Sequence, residues 1–199
     1  CSRGIRVIDR SLRTWPFFED RHRILSENVE RWCAENLPVD HTDVDAACRK
    51  LVQKLGRDGW LNHTAPEPGT PSPLDVRTLC LMRETLARHD GLADFAFAMQ
   101  GLGAGPISLF GNAKQRNWLK RTRGGQAIAA FALTEPQSGS DVANIELTAR
   151  KFGDGYILDG EKTWISNGGI ADFYVVFART GESPGAKGLS AFLVPDGLP

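Results

Sequence analysis

Net charge is missing from this chain: 24 Lys and Arg offset 24 Asp and Glu over 199 residues. No global field therefore draws it to nucleic acid or to an anionic membrane. The four cysteines, Cys1, Cys33, Cys48 and Cys80, stand far apart with no CxxC pair. That argues against a disulfide framework or a zinc site and for a reducing compartment. His22, His41, His63 and His89 also lack ligand spacing, so no metal is expected. No apolar run approaches the ~18 residues of a membrane span, and no signal-peptide core follows the N-terminus. Internal repeats and low-complexity tracts are absent as well. Arg3, Arg6, Arg10 and Arg13 could end a transit peptide, but Asp9 and the lack of an amphipathic stripe speak against it. The expected location is a bacterial-type cytoplasm, with the mitochondrial matrix as the alternative. The first residue is Cys1 rather than Met, and Pro199 falls in a Gly/Pro segment; both ends read as cuts.

What remains is an ordinary globular composition, 41% hydrophobic and 24% charged, with room for one large domain or two small ones. Residues 16–125 read as helical. Phe17, Phe18, Ile24, Leu25, Val29 and Trp32 form one apolar face, closed by Pro38. Thr42 or Asp43 can cap a second helix through Leu55, ended by Gly56 and Gly59, and Asp75 a third through Leu86. Residues 62–73 hold four prolines and read as a mobile loop. Leu92 to Leu102 is nearly all apolar and predicts a buried helix, Pro106 suits the first turn of a short one, and Asn112 can cap the last. Lys114, Arg116, Lys120, Arg121 and Arg123 at helical spacing read as a solvated face.

The pattern changes at Gly124-Gly125. Ala127 to Leu133 predicts a buried strand, Ile145 to Phe152 an alternating one, and Asp154-Gly155 a hairpin into a strand from Tyr156 to Ser166. Asn167-Gly168 is a second hairpin signal, followed by strands at 173–178 and 189–194. The expected fold class is α+β in two domains: an all-α helical bundle at 1–125, then an incomplete antiparallel β-barrel or sandwich at 126–199.

Two segments carry candidate chemistry. If 156–166 is one strand, Trp164 and Ser166 share a face and can cover a planar aromatic ligand and bond its edge; taken alone, they read rather as a core tryptophan and a chance serine. In Thr134-Glu-Pro-Gln-Ser-Gly-Ser-Asp141, Gly139 lets backbone approach a ligand, and Ser138 and Ser140 can offer donors to phosphate or carbonyl oxygens; equally, this is a polar loop with an Asx-type turn. Gly101-Leu-Gly103-Ala-Gly105 has the flavour of a dinucleotide loop, but it follows a helix and lacks the downstream acid.

In this order the two segments resemble the acyl-CoA dehydrogenase family, together with Leu86 to Asp90, Gly105 to Gly111, Gln115 to Leu119, and Asp159 to Arg179. The resemblance implies FAD as cofactor. It places Phe131, Leu133 and Thr134 along the flavin ring, with Thr134 on the pyrimidine edge and Phe131 where many members have tyrosine. It puts Gly139 and Ser140 at the FAD diphosphate and the acyl-CoA thioester, Trp164 over the dimethylbenzene side, Ile165 beside it, and Ser166 near N5. Glu135 reads as an orienting residue rather than the base. Phe95, Phe97 and Met99 would flank a short, branched or cyclic acyl tail.

The implied reaction is α,β-dehydrogenation of an acyl-CoA thioester, an oxidoreductase acting on a CH–CH group in fatty acid metabolism. The base is usually a glutamate in a C-terminal helical domain that these residues do not include, so no catalytic residue is assigned here. Electron-transferring flavoprotein is the implied acceptor, and a homodimer or homotetramer the implied assembly. Since the family's site is closed by that domain and a neighbouring subunit, weak or no FAD binding is expected of this chain alone. The alternatives are an acyl-CoA oxidase, a flavin monooxygenase of the same fold, or a non-catalytic fragment or interaction subunit.

Overall fold

A computed structural model describes residues 11–64, 74–181 and 183–198. Arg3, Arg6, Arg10 and most of the proline-rich loop expected at 62–73 lie outside the described residues, as does the side chain of Arg13. Five helices come first: α1 (Asp20–Asn36), α2 (Val44–Arg57), α3 (Val76–His89), α4 (Gly91–Phe110) and α5 (Ala113–Arg123). Their starts follow from capping chemistry. Asp43 accepts from Ala46 N–H, Asp75 from Arg77 N–H, Asp90 from Leu92 N–H and Asn112 from Gln115 N–H, each satisfying a donor the first turn leaves open. Asp75 also accepts from the buried His22 ring (2.8 Å), tying the start of α1 to the start of α3. Burial opposes its ionisation, but His22 and Arg77 outweigh it and hold Asp75 well below the usual carboxylate range.

Pro106 does not open a short separate helix; it lies inside α4. It removes only the bond to the carbonyl of the half-exposed Leu102, where water can substitute. Gly103, before it, is a packing residue: a Cβ there would meet the Ala129 side chain at 2.4 Å. The helix and the first strand therefore cross in near-backbone contact.

The strands are β1 (Ala129–Ala132), β2 (Thr148–Phe152), β3 (Gly155–Asp159), β4 (Phe173–Arg179) and β5 (Leu189–Pro195). β2 and β3 form the expected hairpin, turned by Gly153-Asp154 with Gly153 at φ 57°. β4 and β5 pair antiparallel from Phe173↔Pro195 to Arg179↔Leu189. The sheet is nonetheless mixed, not wholly antiparallel: β1 and β4 run parallel from Ala129↔Phe173 to Ala132↔Val176. The long connection over 133–172 returns the chain to the starting end of β1, as a parallel pair requires. Among the described residues the sheet stays open and does not close into a barrel.

β1 is buried on both faces, and its parity shows how. Ile128 and Ala130 join one cluster with Val52, Met82 and Phe97, whereas Ala127 and Ala129 join another with Ile107, Leu119 and Phe173. Helices and sheet thus share one interior. Asp172 clamps the entry to β1, accepting from Ile128 N–H (2.7 Å) and donating its own N–H to Ile128 O (2.8 Å).

Beyond β1, a buried ion pair fastens the loops. Glu135, 2% exposed, accepts from Glu146 N–H (2.6 Å), Leu147 N–H (2.9 Å), Gln137 Nε2 (3.0 Å) and Lys162 Nζ (2.7 Å). Lys162 also donates to Leu133 O (2.9 Å). Burial would raise the Glu135 pKa, but the bonds from Glu146, Lys162 and Leu147 outweigh it and lower the pKa below the ordinary 4.5.

Two outcomes follow, both read by urea unfolding. Gly103→Ala should cost about 1–3 kcal/mol, because the added methyl has no room against Ala129; an unchanged midpoint would show the crossing to be looser than described. Lys162→Met should cost about 3–5 kcal/mol, since it strands a buried carboxylate. Because the Glu135 pKa is depressed, its stabilisation is complete above the ordinary glutamate value and is lost as pH falls through the lowered one. The stability gap between wild type and Glu135→Gln should therefore be constant at neutral pH and narrow only in acid below 4.5.

Candidate functional site

One edge of β1 is taken by β4. The N–H and C=O of Ala129 point to the other, where they bond Gln100 Oε1 (3.2 Å) and Asn167 Nδ2 (3.1 Å). Further along, Thr163 N–H donates to Thr134 O (3.0 Å) and Lys162 bonds Leu133 O. Contacts of 163 with 134 and of 167 with 129 mean that residues 162–167 run back antiparallel beside β1. That course carries Trp164, Ile165 and Ser166 past Phe131, Leu133 and Thr134, so these six predicted residues form one group.

The segment is not a strand, which corrects the same-face argument for Trp164 and Ser166. β3 ends at Asp159. Gly160 then turns the chain at φ 139°, with Leu147 close enough to exclude any Cβ, and Glu135 draws Lys162 inward. Trp164 sits at φ 56°, a left-handed conformation that costs a non-glycine residue about 1–3 kcal/mol, and its side chain is 89% exposed. Strain combined with an exposed indole is not what core packing produces. Ile165 instead packs against the apolar clusters on both sides and anchors the segment. Asn167 takes φ 64°, so the Asn-Gly signal marks a turn into β4 rather than a hairpin between paired strands.

Several donors of the predicted site residues lack protein acceptors. Among the described residues the hydroxyls of Thr134, Ser140 and Ser166 make no hydrogen bond, and neither do the N–H groups of Gly139 and Ser140. Gly139 and Ser140 are exposed and directly follow the tight turn that Glu135 and Ser138 close by two backbone bonds (3.0 and 3.1 Å). The Ser138 hydroxyl bonds Asp141 O and so braces this loop instead of facing outward. Phe131 is half-buried and packs on Phe177, ring centroids 5.0 Å apart.

The residues expected beside an acyl tail divide. Phe97 is a core side chain, 1% exposed. Phe95 and Met99, one turn apart on α4, are half-buried, Phe95 against the helical core. No hydrogen bond or core contact joins either to Ser140 or Ser166. Three residues that hold the site were not foreseen: Lys162, a lone cation in a polar stretch; Asn167, noticed only for its turn propensity; and Cys48 on α2, whose Sγ lies 3.7 Å from Asn167 Oδ1. Only the Asn-Gly dipeptide left a trace in the sequence. Among the described residues no group of three His, Cys, Asp or Glu side chains could hold a metal, and no helix is long and apolar enough to cross a membrane.

An exposed indole near unpartnered hydroxyls can cover and bond a planar ring, and comparisons with known proteins identify the family. The family model for the acyl-CoA dehydrogenase N-terminal domain matches residues 19–126, and the one for the acyl-CoA dehydrogenase middle domain matches residues 130–199. The chain is 35% identical over 152 residues to an acyl-CoA dehydrogenase of Bacillus subtilis, covering 75% of this chain and 40% of that one. It is 38% identical over 183 residues to the mitochondrial short-chain specific acyl-CoA dehydrogenase of Bos taurus, covering 88% and 44%. The solved acyl-CoA dehydrogenase of Bacillus anthracis complexed with FAD superposes with a TM-score of 0.75 at 32% identity, over 91% of this chain and 32% of that one. The chain spans less than half the length of these relatives, and within that span it belongs to the acyl-CoA dehydrogenase family.

Proposed function

We propose that this chain forms one wall of the FAD site of a flavin-dependent acyl-CoA dehydrogenase. The observation that carries the proposal is the strained, exposed Trp164 on a segment that runs along the free edge of β1, past the unpartnered hydroxyl of Thr134 and followed by that of Ser166. Thr134 and Ser166 would bond the edge of the ring, Trp164 would cover one end of it, and the free N–H groups of Gly139 and Ser140 would meet phosphate or thioester oxygens. FAD, when bound there, supplies the acceptor for the hydride that leaves the β-carbon of the acyl thioester. The protein's part is to orient the ring, polarise the thioester carbonyl and keep water out.

The α-proton must go to a general base, and Glu135 cannot take it. Its carboxylate is buried, bonded by four partners and held in the ionised form by them. It orients loops, and the base belongs elsewhere in the enzyme. Phe95 and Met99 support a short, branched or cyclic acyl group, since two bulky side chains one turn apart shorten any channel along α4.

The first test is Trp164→Gly in the full-length protein. Glycine tolerates φ 56°, so stability should stay within about 1 kcal/mol of wild type. FAD affinity should fall about tenfold or more, read by flavin fluorescence, because an aromatic wall is lost. Unchanged affinity would remove Trp164 from the site. The second is anaerobic addition of acyl-CoA thioesters to the FAD-loaded protein. Bleaching of the visible flavin band should be fastest with short or branched acyl groups, and the reduced flavin should pass electrons to an electron-transferring flavoprotein. Fast reoxidation by oxygen would favour an oxidase, and a rate maximum on long straight chains would overturn the acyl-group assignment.

A further inference from the structure

The loop bearing Trp164 and Ser166 is anchored at its far end by one side chain. Asn167 Nδ2 donates to Ala129 O on β1 (3.1 Å), and Asn167 Oδ1 lies 3.7 Å from Cys48 Sγ on α2. Its main-chain carbonyl accepts from Ile170 N–H and Ala171 N–H, both at 2.9 Å. The orientation of the amide is dictated, because a backbone carbonyl can only accept; the NH₂ must face Ala129 and the oxygen must face the thiol. Cys48 must then be the donor, which it can be only when protonated. It is 2% exposed, and burial pushes its thiol pKa up, so it remains a thiol at neutral pH.

Asparagine is close to the only residue that meets these demands together. It enters the left-handed region at low cost, and its side chain offers both a donor and an acceptor. Aspartate would set a carboxylate against the Ala129 carbonyl, and glycine would keep φ 64° but lose both side-chain bonds. α2 is held to the same turn a second time, through Arg49 Nη1 on Ile170 O (3.1 Å). The helical region thus reaches the site loop through two neighbouring side chains of one helix.

We infer that Asn167 is a positioning residue for the flavin wall: its amide, bridged between Cys48 on α2 and Ala129 on β1, sets where Trp164 and Ser166 stand. This rests on the flavin reading above for its functional consequence, but the positioning itself does not.

The test compares wild type, Asn167→Gly, Asn167→Asp, Cys48→Ser and Cys48→Ala in the full-length protein, by FAD titration with visible spectra and by amide hydrogen exchange over 163–171. Asn167→Gly should keep its circular dichroism, exchange faster at 168–171 with β4 and β5 unchanged, bind FAD about tenfold more weakly, and show a shifted flavin band. Asn167→Asp should weaken FAD binding at least as much. Cys48→Ser retains a donor and should bind FAD within about twofold of wild type, whereas Cys48→Ala should lose about three- to tenfold. Wild-type affinity, spectrum and exchange in Asn167→Gly would overturn the assignment, as would equal effects of the two Cys48 variants. Should the wild type bind no FAD, the flavin reading fails by itself, and exchange over 168–171 still decides the positioning role: faster in Asn167→Gly supports it, unchanged rejects it.

Discussion

The buried pair of Glu135 and Lys162 joins three stretches that are far apart in the chain: the exit of β1, the approach to β2 and the loop after β3. The same stretches are also held by the buried Ile145 and Leu147 and by Arg179 on the Ala143 and Ile145 carbonyls. A pair removed from water in this way gains little net stability against an apolar replacement, but losing one partner is severe. Here it also does something an apolar pair would not do. The carboxylate takes two backbone N–H groups at defined positions, so it sets the register of residues 146–147 against the loop at 133–138.

Much of the site geometry follows from that register. Lys162, drawn in at one end, and Asn167, fastened to Ala129 at the other, stretch the intervening segment along the free edge of β1. Between the anchors, Ile165 is packed inward and Trp164 is left outside in a left-handed conformation. The two ties and the buried isoleucine over-determine the segment, and that is how a strained residue persists. The interior beneath it is shared by helices and strands, so α2 and α4 act as a rigid floor for β1: Gly103 lets α4 approach to contact distance, and Gln100 takes the N–H that the strand edge leaves open.

Much of the fold was legible in the sequence because its signals are local. Asp43, Asp75 and Asn112 mark helix starts through bonds made within three residues. The apolar run from Ala127 names a strand buried on both faces, and the Asp/Gly-rich turn before Tyr156 names a hairpin. Failures came where distant partners overrode a local pattern. Pro106 suggested a helix start, but tertiary packing around Gly103 carries the helix through it. The hairpin signal suggested a strand through Ser166, but Gly160 turns the chain aside and Glu135 captures Lys162 from 27 residues away.

For the site, residue identity and residue placement separate in the same way. Short-range chemistry and resemblance named Thr134, Gly139, Ser140, Trp164 and Ser166, since hydroxyls, glycines and an indole in that order can be read directly from the chain. The structure carries Trp164 and Ser166 past Thr134, but not by the alternation along a strand first expected of them. They meet because a non-strand segment is tied antiparallel to β1 by Lys162 and Asn167. The parallel course of β4, the route of that segment and the thiol of Cys48 facing Asn167 all depend on contacts between residues tens to more than a hundred positions apart. Such contacts leave no periodicity or spacing in a single sequence, because nothing local requires the partner to be where it is.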